Sequence, residues 1–183
     1  ERQVFVWTQG EEWQALEQAI IKDVDPINRA AAVSGVPARF IVSCLVPEQL
    51  RLFTSEREVF KSFFGPLKVL GNQTQFSWGV MGFKPETARA VETHLINRAS
   101  PFYPGTQYEH LLDFKTDDPD TERFARIANE KDHYYSYLYA ALYIKQLLAQ
   151  WERSGFDLST RPDVIATLFN IGFGNSEPNA EPR

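Results

Sequence analysis

Apolar residues recur every three or four positions along most of this chain, which is the spacing of one face of an α-helix. The pattern predicts helices over 9–21, 25–34, 37 toward 51, 56–64, 85 to about 98, 121–128 and 132–151, and a last one that opens at 160–163. No apolar-polar alternation typical of a strand runs for a convincing length. We therefore expect a mainly α, single-domain protein.

Proline, glycine and capping residues mark the ends of several of these segments. Pro37 and Pro85 suit the first turn of a helix, where the missing N–H costs nothing. Pro47 interrupts or kinks the third helix just before Glu48. The segment 100–120 is rich in proline, glycine and aspartate and is expected to be mostly loop.

The segment 132–151 is the strongest helix prediction, because a broad apolar stripe indicates burial on several sides. After Gly174 the sequence becomes polar and contains proline. We expect the domain to span 1–174, followed by a disordered tail over 175–183.

The composition excludes several partners. With 43% hydrophobic and 23% charged residues, the chain resembles an ordinary globular protein. The net charge is −5 and no long basic run exists, so nucleic acid is not an expected partner. No apolar run approaches the length of a membrane span, so no integral membrane segment is expected in this chain.

The metal-ligating residue types are sparse and scattered. Cys44 is the only cysteine and lies in an apolar run, as expected of a buried small hydrophobe. His94, His110 and His133 are far apart in the sequence. We expect neither a metal nor a cofactor.

The stretch 79–88 reads as a glycine-containing turn that leads into a helix start, which is commonly a simple connection. It resembles the Gly-Leu-Met-Gln-x-x-Pro-x-Thr-Ala motif of the soluble lytic transglycosylases, relatives of goose-type lysozyme. The residues that match in register are Gly79, Met81, Pro85, Thr87 and Ala88. Val80 replaces a leucine, and Gly82 departs from the glutamine of that family.

A second segment resembles the helix that carries the catalytic glutamate of the same family. Pro37 opens it, and Glu48 follows eleven positions later. Gln49 stands where the family usually has serine, and the interval from Glu48 to Gly79 implies an insertion. Residue type alone favours another interpretation, in which Glu48 is an exposed helix residue paired with Arg51.

A third segment, 166–172, resembles the Ala-Tyr-Asn-x-Gly motif of the family. Phe169, Asn170 and Gly172 fall on its tyrosine, asparagine and glycine, so Phe169 removes a hydroxyl that relatives place near the acid. Asn170 is alternatively an ordinary helix C-cap next to Gly172.

The resemblance implies a lysozyme-like fold and a peptidoglycan lytic transglycosylase with one catalytic residue, Glu48. A glutamate in an apolar cleft can hold a proton near neutral pH. In that family it protonates the bond between N-acetylmuramic acid and N-acetylglucosamine, then takes the proton of the 6-hydroxyl, which gives a 1,6-anhydro product. The implied substrate-binding residues are Gln49, Ser77, Gly79, Val80, Met81, Gly82, Phe83, Phe169 and Asn170.

The implied partner is the glycan strand of peptidoglycan, and the sequence names no protein partner. Such an activity belongs in the periplasm or elsewhere outside the cytoplasm of a bacterium. The chain begins at Glu1 without a signal peptide, so either the protein is cytosolic or a leader has been removed, and the location implied by the resemblance requires the second.

Two alternatives stay open. The departures at Gln49, Gly82 and Phe169 also suit a non-catalytic module that binds peptidoglycan or a cell-envelope protein; conversely, Gln49, Gln75 or Ser77 could replace the missing hydrogen bonds. A hydrolase would need a second carboxylate, and the candidates are Glu56, Glu58 and Glu86. On the main interpretation, Glu48, Met81 and Asn170 converge on one cleft.

Overall fold

The computed structural model describes residue 8 and the ranges 10–55 and 78–182. Its helices are α1 (Glu11–Lys22), α2 (Val24–Ser34), α3 (Ala38–Ser55), α4 (Pro85–Ile96), α5 (Pro119–Ile127), α6 (Tyr134–Arg153) and α7 (Pro162–Ile171). Short 3-10 helices cover Thr106–Tyr108 and Phe173–Asn175. The mainly α prediction is confirmed. The helix predicted over 56–64 and the residues Gln75 and Ser77 lie outside the described residues.

Helix α6 forms the centre of the fold and packs against α2, α3, α4, α5 and α7. Its apolar stripe is almost completely buried, with exposures of 1% or less at Leu138, Ala141, Leu142, Ile144 and Leu147. The prediction of burial on several sides is therefore confirmed. Since its neighbours surround it, α6 sets the positions of the loops and helix ends that lie beside it.

Two partly buried carboxylates attach the first half of α6 to its neighbours. Asp23, between α1 and α2, accepts a hydrogen bond from the Tyr137 hydroxyl at 2.6 Å and pairs with His133 Nδ1 at 2.5 Å. Glu92 of α4 accepts from the Tyr139 hydroxyl at 2.6 Å and from two nitrogens of Arg123, each at 2.6 Å. We refer to these as the Asp23 cluster and the Glu92 cluster.

The helix ends follow local sequence chemistry. Helix α4 begins at Pro85, as predicted, with Lys84 in an extended conformation before it. Asp118 caps α5 by accepting from the Thr121 N–H at 3.1 Å. Pro47 is accommodated inside α3, which continues past it to Ser55. Within 10–55 and 78–182, no helix is long and apolar enough to cross a bilayer.

The prediction of a disordered tail from residue 175 is wrong at its start. Ser176 is 6% exposed, and its hydroxyl accepts a hydrogen bond from Trp151 Nε1 at 3.0 Å. The Gln150 side chain donates to the Ser176 carbonyl at 2.9 Å. These partners lie about one helical turn from the end of α6, so the polar composition after Gly174 does not reveal them.

Candidate functional site

A cleft of about 550 Å³ opens where α3, the turn before α4 and its first helical turn, the middle of α6 and the end of α7 meet. Its lining combines one glutamate from α3 with groups from the other three elements. The residues are Glu48, Met81, Gly82, Phe83, Lys84, Glu86, Thr87, Tyr143, Phe169, Asn170, Ile171 and Gly172. The predicted convergence of Glu48, Met81 and Asn170 is confirmed as geometry.

The turn over 78–83 is closed by a pair of backbone hydrogen bonds. The Trp78 N–H donates to the Phe83 carbonyl at 2.6 Å, and the Phe83 N–H donates back at 2.9 Å. Gly79 and Gly82 both have positive φ, at 68° and 64°, which a side chain rarely tolerates. The Met81 N–H donates to the buried Ser136 hydroxyl at 3.3 Å, which attaches the turn to α6.

Glu48 faces this turn. A Cβ added to Gly82 would lie 2.9 Å from Glu48 Oε2, so the carboxylate occupies the space that a side chain at 82 would take. Glu48 itself is half-buried. Glycine in place of glutamine at position 82 therefore leaves the Glu48 carboxylate against bare backbone, and the buried Met81, 1% exposed, lines the same cleft.

Gln49 does not reach the cleft, which corrects the expectation that it contacts substrate. Its side chain is 1% exposed and its Nε2 donates to the Val80 carbonyl at 2.5 Å. Because successive residues of a helix point about 100° apart, Glu48 and Gln49 cannot face the same side. Gln49 instead ties α3 to the turn.

Gly79 and Val80 also lie outside the cleft lining. Gly79 packs against the Ile127 carbonyl and the Ser136 hydroxyl, and Val80 is 1% exposed. Of the predicted substrate-binding residues, the structure brings Met81, Gly82, Phe83, Phe169 and Asn170 to the cleft beside Glu48. Ser77 lies outside the described residues.

One wall of the cleft is aromatic. The Phe169 ring lies 5.9 Å from that of Phe83 and 5.0 Å from that of Tyr143, measured between centroids. Phe173 stands 4.1 Å from Tyr143 on the other side. The ring at position 169 is thus used in packing, and Tyr143 brings a hydroxyl into the wall from a different helix.

Cys44 lies one helical turn before Glu48 and is 2% exposed. Burial and then the charge of Glu48 raise the pKa of its thiol above the ordinary range. The thiol therefore keeps its proton and is not a nucleophile at neutral pH. This agrees with the prediction of a buried small hydrophobe.

Sequence reasoning missed Lys84, Tyr143 and Ile171 as members of the cleft. Lys84 and Ile171 sit beside motif residues, so proximity along the chain could have indicated them. Tyr143 belongs to the long apolar helix, and its periodicity predicts only burial. Within the described ranges, no three His, Cys, Asp or Glu side chains are grouped as metal ligands would be.

Comparison with known proteins adds no relative: no protein-family model, curated protein or solved structure matches this chain. The resemblance to lytic transglycosylases rests on the three sequence motifs.

Proposed function

We propose that this chain is a peptidoglycan lytic transglycosylase with a lysozyme-like fold, acting outside the bacterial cytoplasm. The observation that carries the proposal is the position of Glu48. Its carboxylate lies against Gly82, in a cleft that also contains Met81 and Asn170. Three segments far apart in sequence, each similar to one motif of that family, meet at this place.

The chemistry needs one carboxyl in two protonation states. Protonated Glu48 gives its proton to the glycosidic oxygen, and the bond from that oxygen to C1 of the muramic acid residue breaks. The 6-hydroxyl of the same sugar then attacks C1, and its proton passes to the Glu48 carboxylate. The 1,6-anhydro ring closes, the acid is regenerated and no water is consumed.

The other cleft groups suit a sugar substrate. Phe169 and Phe83 give the cleft an apolar aromatic wall, against which the C–H face of a pyranose can pack. Asn170 is exposed at the cleft and offers an amide to hydroxyl or N-acetyl groups. Thr87 contributes a hydroxyl from the first turn of α4.

The test is release of soluble muropeptides from purified sacculi. Glu48→Gln should abolish release while the far-ultraviolet circular dichroism stays unchanged, because the amide cannot donate a titratable proton. Glu86→Gln is the matched control, since it removes the other carboxylate of the cleft, and it should retain release. Release by Glu48→Gln at the wild-type rate would remove Glu48 from the mechanism.

Hydrolysis is a second candidate because Glu86 lines the same cleft as Glu48. In that case Glu86 would position a water molecule, and both variants would lose activity. Mass spectrometry of the products separates the two reactions: anhydro ends identify a transglycosylase, and reducing ends identify a hydrolase.

A non-catalytic glycan-binding module is the third candidate, favoured by the withdrawal of Gln49 from the cleft and by the missing hydroxyl at Phe169. Co-sedimentation with insoluble peptidoglycan, without any soluble product after long incubation, would support it against both reactions.

A further inference from the structure

The hydroxyl of Tyr143 is a buried polar group whose presence is not accounted for by the packing around it. Tyr143 is 1% exposed and lines the candidate cleft, and its hydroxyl oxygen has no hydrogen-bond partner among the described residues. The Tyr143 ring packs against the rings of Phe83, Phe169 and Phe173. Phenylalanine would fill the site equally well without an unpaired hydroxyl, which is destabilising when buried.

The other buried tyrosines of α6 show what such a hydroxyl does in this fold. Tyr137 donates to Asp23 and Tyr139 donates to Glu92, each at 2.6 Å. Both partners are carboxylates on neighbouring helices or helix ends. Two described carboxylates share the cleft with Tyr143 and lie on helices packed against α6, Glu48 of α3 and Glu86 of α4.

The position of Cys44 indicates that the Glu48 side chain and Tyr143 lie on the same side of α3. Cys44 precedes Glu48 by four residues, so the two side chains lie one above the other on the helix. Glu48 raises the pKa of the Cys44 thiol, and Cys44 raises the pKa of Tyr143. Glu48 and Tyr143 therefore both lie near Cys44, and both line the cleft.

The protonation state of Tyr143 makes it a donor. Burial and then Cys44 raise its pKa above the ordinary range, so the hydroxyl keeps its proton at neutral pH. The Phe173 N–H acts on the hydroxyl oxygen in the direction of a donor, lowering the pKa slightly, but lies outside hydrogen-bond limits. The hydroxyl proton is thus left for an acceptor in the cleft.

We propose that Tyr143 is a positioning residue for Glu48: its hydroxyl donates a hydrogen bond to the Glu48 carboxylate when that side chain turns from Gly82 toward the floor of the cleft. The catalytic meaning of this contact rests on the proposed function, whereas the contact itself does not. It favours the ionised carboxylate, which is the form that accepts the proton of the 6-hydroxyl. It also supplies, from α6, a hydroxyl that Phe169 lacks.

Among the described residues, few charged and titratable groups line the cleft or lie beside Glu48. Cys44 lies on its own helix, Lys84 and Glu86 come from the start of α4, and Tyr143 comes from α6, whereas α7 contributes the neutral Asn170. Glu86 is the group whose ionisation could be mistaken for that of Glu48. The experiment must therefore separate the two carboxylates.

The direct test follows the tyrosine ring by NMR. Protein labelled with carbon-13 at the tyrosine Cζ is titrated between about pH 3 and 8, and the Tyr143 signal is assigned by its absence from Tyr143→Phe. We expect the chemical shift of this signal to move with pH in the wild type. Glu48→Gln should abolish the movement and Glu86→Gln should preserve it, while the Tyr139 signal is unaffected by Glu48→Gln. A Tyr143 signal that is the same in wild type and Glu48→Gln at every pH would overturn the inference.

The cleavage assay adds a functional readout. Tyr143→Phe should lower kcat about tenfold with little change in KM, since the lost hydrogen bond acts on the acid rather than on substrate. The alkaline fall in activity should also move to higher pH, because a carboxyl without the donor keeps its proton longer. An unchanged kcat and pH profile would count against positioning. If the wild type cleaves nothing but the NMR coupling is present, the contact stands and the proposed function fails.

Discussion

The first turns of α6 and its middle treat buried polar groups differently. In the first turns, Tyr137 and Tyr139 each donate to a carboxylate that also binds a second side chain, in the Asp23 cluster and the Glu92 cluster. At the middle of the helix, the Tyr143 hydroxyl has no partner among the described residues, and the backbone at Gly82 makes room for the Glu48 carboxylate.

The difference separates structural from functional use of the same residue types. A carboxylate with several donors is fixed and stabilises the fold. A hydroxyl that stays unpaired beside a cleft lowers stability, and such exceptions concentrate at binding and catalytic sites. The predictions below test whether the two regions can be damaged independently.

Arg123→Met should have the largest effect on stability. It removes the bidentate partner of Glu92, whose side chain is 15% exposed, and should lower the free energy of unfolding by about 3 kcal/mol, because the carboxylate stays buried. Urea denaturation measures this. The matched control is Arg89→Met, which breaks an exposed pair with Asp120 and should cost less than about 1 kcal/mol. Equal losses would show that the Glu92 cluster is not the stronger anchor.

Substitutions at two glycines of the same turn should separate effects on the stability of the fold from effects on the candidate site. Gly79→Ala adds a methyl group against the Ile127 carbonyl and the Ser136 hydroxyl at positive φ, and should cost about 2–3 kcal/mol. Gly82→Ala meets only the flexible end of Glu48, so it should cost about 1 kcal/mol.

The effects of the two substitutions on activity should have the opposite order to their effects on stability, in a cleavage assay run under conditions where both variants are folded. Gly82→Ala displaces the acid and should lose most of the activity, while folded Gly79→Ala retains it. Full activity in Gly82→Ala would show that the observed carboxylate position is not the catalytic one.

A smaller effect should distinguish the tyrosines of α6. Tyr139→Phe removes a donor from Glu92 and should cost about 1–2 kcal/mol in urea denaturation. Tyr143→Phe removes an unpaired hydroxyl and should change stability by less than about 0.5 kcal/mol or increase it. A large loss in Tyr143→Phe would mean that its hydroxyl already supports the resting fold.

The smallest effect concerns acid stability away from the cleft. Hydrogen bonds from Arg98 and then Tyr103 lower the pKa of Glu109 from 4.5 to about 2. A lowered folded-state pKa stabilises the protein above about pH 4.5, and this contribution disappears as the pH falls toward 2. The difference in melting temperature between wild type and Glu109→Gln should therefore shrink over that interval. A constant difference would show that ionisation of Glu109 does not contribute.

Local signals were sufficient for most of the described fold. Pro85 and the apolar stripe of 132–151 act within one helix, so their consequences can be read from spacing. The packing of Ser176 depends on Trp151 and Gln150, which are about 25 positions away, and a polar composition cannot reveal such partners.

The candidate site was partly predictable for the same reason. The three motif segments indicated that Glu48, Met81 and Asn170 meet, and they do so in the structure. The direction of a side chain around the helix axis decides whether it reaches a cleft. The motifs do not give that direction, so Gln49 was wrongly expected to lie in the cleft. Tyr143 was overlooked because a tyrosine in an apolar stripe gives no sign that its hydroxyl lacks a partner.

Pro47 has a consequence for the motion of the acid. A proline has no amide to give to the carbonyl four residues earlier, here that of Ser43, so the hydrogen-bond ladder of α3 has a gap immediately before Glu48. The part before the gap is held by the buried Ile41 and Leu45. The part after it lacks this one backbone hydrogen bond, although Gln49 still ties it to the turn, so amide hydrogen exchange should be faster there than before Pro47. A small backbone fluctuation at this gap can change the direction of the Glu48 side chain, the group proposed as the acid.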